Sequence, residues 1–208
     1  DAWVRRWRRH PWLAQVGLLV VDEAQLIGEG RRGATLEGAL LRFARVSPLA
    51  RIWLMGATLG DPHALGGLLG GAVFDGGPEP ELTVRVVRWE RAAHKGDRLV
   101  EVVDGPGTLV FVHSRRRAVE MAARLTEAGR ASAAHHGGLG ADARRAVEGG
   151  FRAGTVEVLV STGTLEVGVN LPVEHVVLAD LQQWGPTGWE RLAPGRFRQR
   201  LGRAGRFG

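Results

Sequence analysis

Short, continuously apolar runs recur along the chain, and they constrain the fold more than any other feature. They read "QVGLLVVD" (15–22), "ARIWLMGAT" (50–58), "GTLVFVHS" (107–114), "TVEVLVSTG" (155–163) and "EHVVLAD" (174–180). Runs that are apolar without alternation belong to strands covered on both faces, the pattern of parallel sheets. Between them lie helical patterns: "TLEGALLRFARV" (35–46), "RRRAVEMAARLTEAG" (115–129) with Gly129 as C-cap, and "GADARRAVEGGFRAG" (140–154). "GDPHALGGLLG" (60–70) supplies Asp61 as N-cap and Pro62 at the first helical position. "RASAAHHG" (130–137) has the makings of a further short strand. Strands alternating with helices predict parallel sheets in α/β units.

Residues 76–89, "GGPEPELTVRVVRW", carry Gly and Pro and then strand-like alternation, so they read as a linker and the entry to a second unit. The domains expected are therefore 1–80 and 81–208. With 208 residues, 44% of them hydrophobic, the chain has enough apolar material for one large or two small α/β units. "EHVVLAD" is expected to be the last strand.

Composition removes several kinds of chemistry. There is no cysteine, which excludes disulfides, cysteine-bound zinc and thiol catalysis, and fits a reducing cytoplasm. No apolar run approaches the ~18 residues that cross a bilayer. The opening "DAWVRRWRRHPWLAQVGLLVVDE" has the basic-then-apolar order of a signal peptide, but it ends on Asp22-Glu23 and not on small residues. Net charge is +6, and Lys95 is the single lysine. Arginine suits bidentate phosphate recognition, although a GC-rich genome produces the same bias. In the opening stretch Trp3 and Trp7 stand four apart and predict one buried helix face.

Several polar residues stand where strands end. Asp22 and Glu23 close the first run, at the edge where open α/β sheets bind ligands. An Asp there suits Mg²⁺, and a neighbouring Glu suits activation of water. "GAT" (56–58) brings Thr58 to the end of the second run. "STGTLEVGVN" (161–170) places Thr162 and Thr164 just past a strand, where hydroxyls and backbone N–H groups suit phosphate contacts. In "RQRLGRAGR" (198–206), Arg203 and Arg206 are three apart and on a helix would share a face, as required of paired arginine fingers. Each has a plain alternative: a loop start, a strand-to-helix turn, a basic helix end. His135 and His136 lack a third ligand nearby and make a poor metal site.

Taken in this order, the segments resemble the superfamily 2 helicases over nearly the whole chain. "VVDEAQ" is similar to motif II of the DExH type, "GAT" to motif III, and "TLVFVHSRRRAVEMA" to motif IV. "AAHHGGL" is similar to the segment before motif V, "VSTGTLEVGVNLP" to motif V and "QRLGRAGR" to motif VI. "RRGATLE" (31–37), "HHGGL" and "TLEVGVNLP" look most like the Ski-like branch, which contains DNA-repair and RNA-surveillance helicases. The fold implied is two RecA-like α/β parallel-sheet domains in tandem, the first truncated at its N-terminus.

The resemblance also assigns roles. Asp22 would hold Mg²⁺ and Glu23 would activate water. Gln25 and Thr58 would couple the nucleotide to domain closure. Arg115, Thr162 and Thr164 would touch nucleic-acid phosphates. Gly168 and Asn170 would line the nucleotide side of motif V, with Gln199, Arg203 and Arg206 reaching the γ-phosphate. ATP and Mg²⁺ are the cofactors implied, and single-stranded or tailed DNA or RNA the partner, in a cytoplasmic, probable-monomer setting without membrane contact. His135 and His136 acquire a domain-cleft role.

Departures from the pattern are Gly56 for the motif III serine, Glu166 where the family tends to have alanine, and "GRFG" at the end. The sequence holds no GxxxxGK[ST] P-loop; Lys95 sits in "AHKGDR" without the glycines. The expectation is a fragment, cut after motif Ib, that cannot hydrolyse ATP alone. The readings set against it are a non-catalytic nucleic-acid-binding module or degenerate helicase, and a duplex translocase of the same superfamily.

Overall fold

The computed structural model describes residues 10–28, 30–56, 59, 61–74, 76, 82–88, 91, 94–103, 105–165, 169–185 and 187–205, with Leu68 described by its backbone alone. The expected helix around Trp3 and Trp7 lies outside them. The chain divides into two compact units, Asp1–Asp75 and Gly76–Gly208.

In the first unit β1 (Leu18–Val21) pairs in parallel with β2 (Arg51–Leu54), Val21 opposite Leu54. Parallel neighbours need a crossover. It is α1 (Gly30–Val46), which starts a turn earlier than the apolar spacing alone predicts, so that "RRGATLE" lies inside it. A 3-10 turn at Pro11–Gln15 buries Leu13, whose carbonyl accepts from the buried Ser47 hydroxyl just past α1. Phe43 of α1 is the large buried side chain of this helix. Farther on, α2 (Pro62–Leu69) starts as its sequence predicts: the Asp61 carboxylate accepts the Ala64 N–H at 2.8 Å.

The second unit is built on a four-stranded parallel sheet. In chain order its elements are α3 (Lys95–Val102), β3 (Thr108–Phe111), α4 (Arg115–Glu127), β4 (Ser132–His135), α5 (Ala141–Arg152), β5 (Val158–Ser161) and β6 (His175–Leu178). The strands lie in the order β4-β5-β3-β6. Successive side chains of a strand point to opposite faces, and β3 uses both. Val110 and Val112 pack with Leu99 and Val103 from α3 and with Ala118, Met121, Ala122 and Leu125 from α4. Leu109 and Phe111 pack with Phe151 of α5 and with Leu165, Leu171 and Val173. Helices on both faces explain why the runs are apolar without alternation.

Caps delimit α4. The Ser114 hydroxyl accepts the Arg117 N–H at 3.2 Å, and Gly129 takes φ +82° just beyond the helix. A left-handed residue there costs a Cβ-bearing side chain and suits glycine. It lets Arg130 N–H return to the Leu125 carbonyl at 2.9 Å and start β4.

Two sequence expectations fail. Residues 82–88 form no strand, and Val84 and Val86 are exposed: alternation without a neighbouring strand leaves the ladder unmade. "EHVVLAD" is β6 but not the last strand. It is followed by an antiparallel hairpin of β7 (Gln182–Gly185) and β8 (Gly188–Arg191), then by α6 (Pro194–Leu201). Tryptophans hold the hairpin as an edge-to-face pair, Trp184 and Trp189, with ring centroids 5.7 Å apart. Polar strands with one aromatic each lack the apolar run that marks the others.

Candidate functional site

In the first unit, the segment after β1 is fixed by one residue of the neighbouring strand's extension. Met55 donates its N–H to the Val21 carbonyl at 2.8 Å and accepts the Ala24 N–H at 2.8 Å. Asp22 and Glu23 therefore project from the strand end between two ladder bonds. Asp22 is exposed, and its Oδ1 accepts the Glu23 N–H at 2.8 Å. Glu23 has φ 56° and ψ 40°, the single left-handed non-glycine among the described residues. Such strain persists where surroundings enforce it, and it gathers at functional sites. Here the enforcement is visible: the Gln25 Nε2 amide donates to Glu23 Oε2, while Glu37 of α1 accepts the Gly28 N–H at 2.9 Å and pins the loop.

Gln25 Oε1 is buried and has no hydrogen-bond partner. It occupies the space a Cβ on Gly56 would need, and that Cβ would also stand 3.3 Å from Gln25 N. The absent serine at Gly56 is thus the counterpart of glutamine at position 25. Thr58 lies outside the described residues.

In the second unit the strand ends gather Arg115, Thr162 and Thr164. Arg115 opens α4 at the end of β3, and Thr164 sits in a 3-10 turn, Gly163–Leu165, after β5. The turn after β4 lies beside both: a Cβ on Gly138 would stand 3.3 Å from Arg115 Nη1, and one on Gly137 3.7 Å from Thr164 Cγ2 and 3.8 Å from Arg115 Nη2. The Arg115 guanidinium and the Thr164 methyl thus border the diglycine. Thr162 is half-buried, and its N–H donates to the His135 carbonyl at 3.3 Å.

His135 is a buried residue of the second unit. It is 2% exposed at the end of β4, with Nδ1 3.0 Å from Thr164 Oγ1 and Nε2 2.9 Å from Glu148 Oε1 on α5. Its neighbour His136 accepts the Gly138 N–H on Nδ1 at 3.2 Å.

Arg203 departs from its expected setting. Helix α6 ends at Leu201, so Arg203 follows it in a turn; Arg206 lies outside the described residues. The Arg203 guanidinium is buried and donates to the Val169 carbonyl at 2.7 Å. Arg152 of α5 donates to the next carbonyl, that of Asn170, at 3.2 Å. Two arginines thus hold 169–170 by the backbone, leaving the Asn170 side chain exposed. Gln199 is half-buried on α6, and Arg200 packs over the Phe111 ring at 5.0 Å. Gly168 and Glu166 lie outside the described residues.

A second cluster escaped the sequence. Asp180, 7% exposed after β6, accepts from Lys95 of α3, from the His113 N–H at 2.9 Å and bonds His113 Nδ1 at 2.6 Å; Arg117 Nε stands 3.8 Å away. Burial pushes its carboxyl up, but the Lys95 and His113 bonds outweigh burial and hold it below the usual carboxylate range. Trp189 of the hairpin packs edge-on against His113, centroids 4.7 Å apart. No local signal joins Lys95 to a residue 85 positions on. "HVVLAD" ending on an acid was the one available hint.

Mg²⁺ needs few protein ligands, typically one or two carboxylates with waters and substrate phosphates supplying the rest. Asp22 fits that role: it is exposed at the ligand-binding edge and uses one oxygen internally. Among the described residues no group of three or more His, Asp or Glu forms a closed metal cage. No helix among them is long and apolar enough to cross a membrane.

The units are of the parallel α/β class of protein, with carboxylates at one strand end and hydroxyl and guanidinium groups at others. The family is identified by comparison. The helicase conserved C-terminal domain matches residues 94–208, and the chain belongs to that family, within the superfamily 2 helicases. The ATP-dependent DNA helicase Hel308 of Pyrobaculum calidifontis is 31% identical over 96% of this chain and 36% of its own length. That of Thermoplasma acidophilum is 32% identical over 94% of this chain and 34% of its own. The chain thus spans about a third of the length of these relatives.

Among solved structures, S. cerevisiae Dbp5 bound to RNA and ADP BeF3 superposes with a TM-score of 0.70 at 24% identity, over 99% of this chain and 54% of that one. Mycobacterium smegmatis helicase Lhr bound to ssDNA and AMP-PNP gives 0.65 at 24%, over 93% and 27%. These likenesses establish the fold as RecA-like.

Proposed function

We propose that the chain is part of an ATP-dependent, Ski-like helicase that couples ATP hydrolysis to movement along a nucleic-acid strand. The observation that carries this reading is the pair Asp22-Glu23, held at a parallel-strand end with Glu23 fixed by the Gln25 amide. Support for the branch comes from the Hel308 relatives and from the blocks "RRGATLE", "HHGGL" and "TLEVGVNLP". Residues 1–80 serve as part of the first RecA-like domain and 81–208 as the second.

The roles are those that the resemblance implies. Asp22 would hold Mg²⁺, and Glu23 would accept the proton of the attacking water. Mg²⁺ supplies charge neutralisation on the phosphates. Gln25 and Thr58 link the nucleotide to domain closure. Gly168, Asn170 and Gln199 line the nucleotide, and Arg203 and Arg206 stabilise charge on the γ-phosphate. Arg115, Thr162 and Thr164 contact strand phosphates. The protein acts as a monomer on single-stranded or tailed DNA or RNA.

The test is an unwinding assay, with the protein that carries this chain and a P-loop, on 3′- and 5′-tailed DNA and RNA duplexes. ATP-dependent strand separation lost in Glu23→Gln is expected. Binding without ATP-dependent separation in the unsubstituted protein would favour a non-catalytic nucleic-acid-binding module or a duplex translocase instead.

A further inference from the structure

We propose that Gly33 and Glu37 of α1 are positioning residues for Glu23: they hold the loop at 24–28 in the shape that keeps Glu23 left-handed. The inference rests on the reading of Glu23 as the base and deepens it.

A glutamate by itself does not stay at φ 56°, because its Cβ disfavours the left-handed region. The loop that follows supplies the constraint. The Glu23 carbonyl accepts the Leu26 N–H at 3.1 Å, and the Ala24 carbonyl accepts the Ile27 N–H at 3.0 Å, which closes a 3-10 turn over Ala24–Leu26. One end of this turn is tied to the extension of β2, where the Met55 carbonyl accepts the Ala24 N–H. The other end is tied to α1. Gly28, at φ +84°, presents its N–H to Glu37 Oε1 at 2.9 Å. A carboxylate makes a stronger acceptor there than a neutral oxygen would.

Gly33 meets the same loop one helical turn earlier, since residues four apart share a helix face. It is buried, and a Cβ on it would collide with the Leu26 carbonyl and stand 3.0 Å from Gly28 N and 3.3 Å from Gly28 C. The backbone of α1 therefore lies directly on the loop. Glycine inside a helix is otherwise unfavourable relative to alanine. Gly38, farther along α1, has no such neighbour: a Cβ there would meet only Arg42 Nη1, at 4.0 Å. Leu26 is the joint between helix and carboxylate. Its N–H bonds the Glu23 carbonyl, and its own carbonyl lies under Gly33. Displacing Leu26 turns the peptide that follows Glu23, and with it the carboxylate to which the Gln25 amide donates. Two residues of the block "RRGATLE" thus act on Glu23 through the loop.

The experiment has a structural arm and a kinetic arm. In the 208-residue chain labelled with ¹⁵N and ¹³C, the Gly28 amide should exchange slowly with solvent, and backbone couplings of Glu23 should report a positive φ. Glu37→Ala should release the Gly28 amide, and Gly33→Ala should move Glu23 out of the left-handed region. In the protein that carries this chain and a P-loop, both variants should lower kcat for ATP by roughly 10-fold or more with KM little changed, the effect of a misplaced catalytic group. Glu37→Gln, whose amide oxygen accepts the same N–H, should keep most of the turnover, and Gly38→Ala should leave it unchanged. A role confined to helix stability predicts the opposite sign at position 33, since alanine suits a helix better than glycine. If neither variant folds, the Gly28 exchange and the Glu23 couplings of the unsubstituted chain decide. Fast exchange at Gly28, or full kcat in Gly33→Ala and Glu37→Ala while Glu23→Gln is inactive, overturns the inference alone. Near-normal turnover in Glu23→Gln removes the reading of Glu23 as the base and the inference with it.

Discussion

Gln25 and Gly56 divide one small space between them: the buried Gln25 Oε1 lies where a Cβ on Gly56 would be. Gln25 at the same time donates to Glu23, so the size of residue 56 reaches the strained carboxylate through one side chain. Gly56→Ser restores the hydroxyl common in the family, yet it should destabilise the first unit by about 1–3 kcal/mol through overpacking. Adding Gln25→Ala should recover most of that loss. Urea unfolding of the two single variants and the double variant measures the coupling; purely additive losses would mean the two residues do not share the space.

Glu23→Gln keeps the shape of the side chain and removes the base. In the protein that carries this chain and a P-loop, nucleotide binding should persist while turnover falls ~10²-fold or more. The 208-residue chain by itself should show no appreciable ATP turnover, since no phosphate-cradling loop is in it. A steady-state phosphate-release assay checks both, and measurable hydrolysis by the chain alone would contradict the second expectation.

Arg203 and Arg206 should separate in effect. Arg203→Ala removes the buried guanidinium that donates to the Val169 carbonyl, so it should lower folding stability by about 1–3 kcal/mol as well as any hydrolysis. Arg206→Ala should damage hydrolysis more than nucleic-acid binding. Denaturant melts beside turnover and strand-binding assays distinguish them.

Asp180→Asn should cost about 3–5 kcal/mol, because Lys95 loses its buried counter-charge. The carboxyl is held below its ordinary value in the folded chain. Its contribution is therefore complete above the unfolded carboxylate pKa, near 4, and is lost as pH falls through the lower folded value. Acid unfolding followed by near-UV circular dichroism should show the variant losing this part of the pH dependence.

Within α4 the two faces should respond differently. Leu125 is fully buried against β3 and β5, and its change to Ala should cost about 2–5 kcal/mol. Val119 on the same helix is 51% exposed, and Val119→Ala should stay within about 0.5 kcal/mol. Thermal melts of both variants test the assignment of the faces.

The sequence by itself determined the strands and helices whose signals are local. Unbroken apolar runs became β1 to β3, β5 and β6, and in β3 and β5 every position is buried because helices cover both faces. Asp61 and Gly129 marked helix ends through contacts within a few residues. Asp22 and Glu23 were legible since their place at a strand end follows from the run before them. What only the tertiary structure decided rests on contacts between distant positions. The hairpin β7–β8 lacks an apolar run and depends on Trp184 meeting Trp189, and Trp189 meeting His113. Arg203 left its expected helix because α6 ends at Leu201 and the Val169 carbonyl, 34 positions back, holds the guanidinium. His135 gained a partner at each ring nitrogen only when folding set Glu148 and Thr164 there, 13 and 29 residues away. Side-chain hydrogen bonds of that reach leave no periodicity in a sequence. They arise where the parallel sheet brings separate strand ends to one edge.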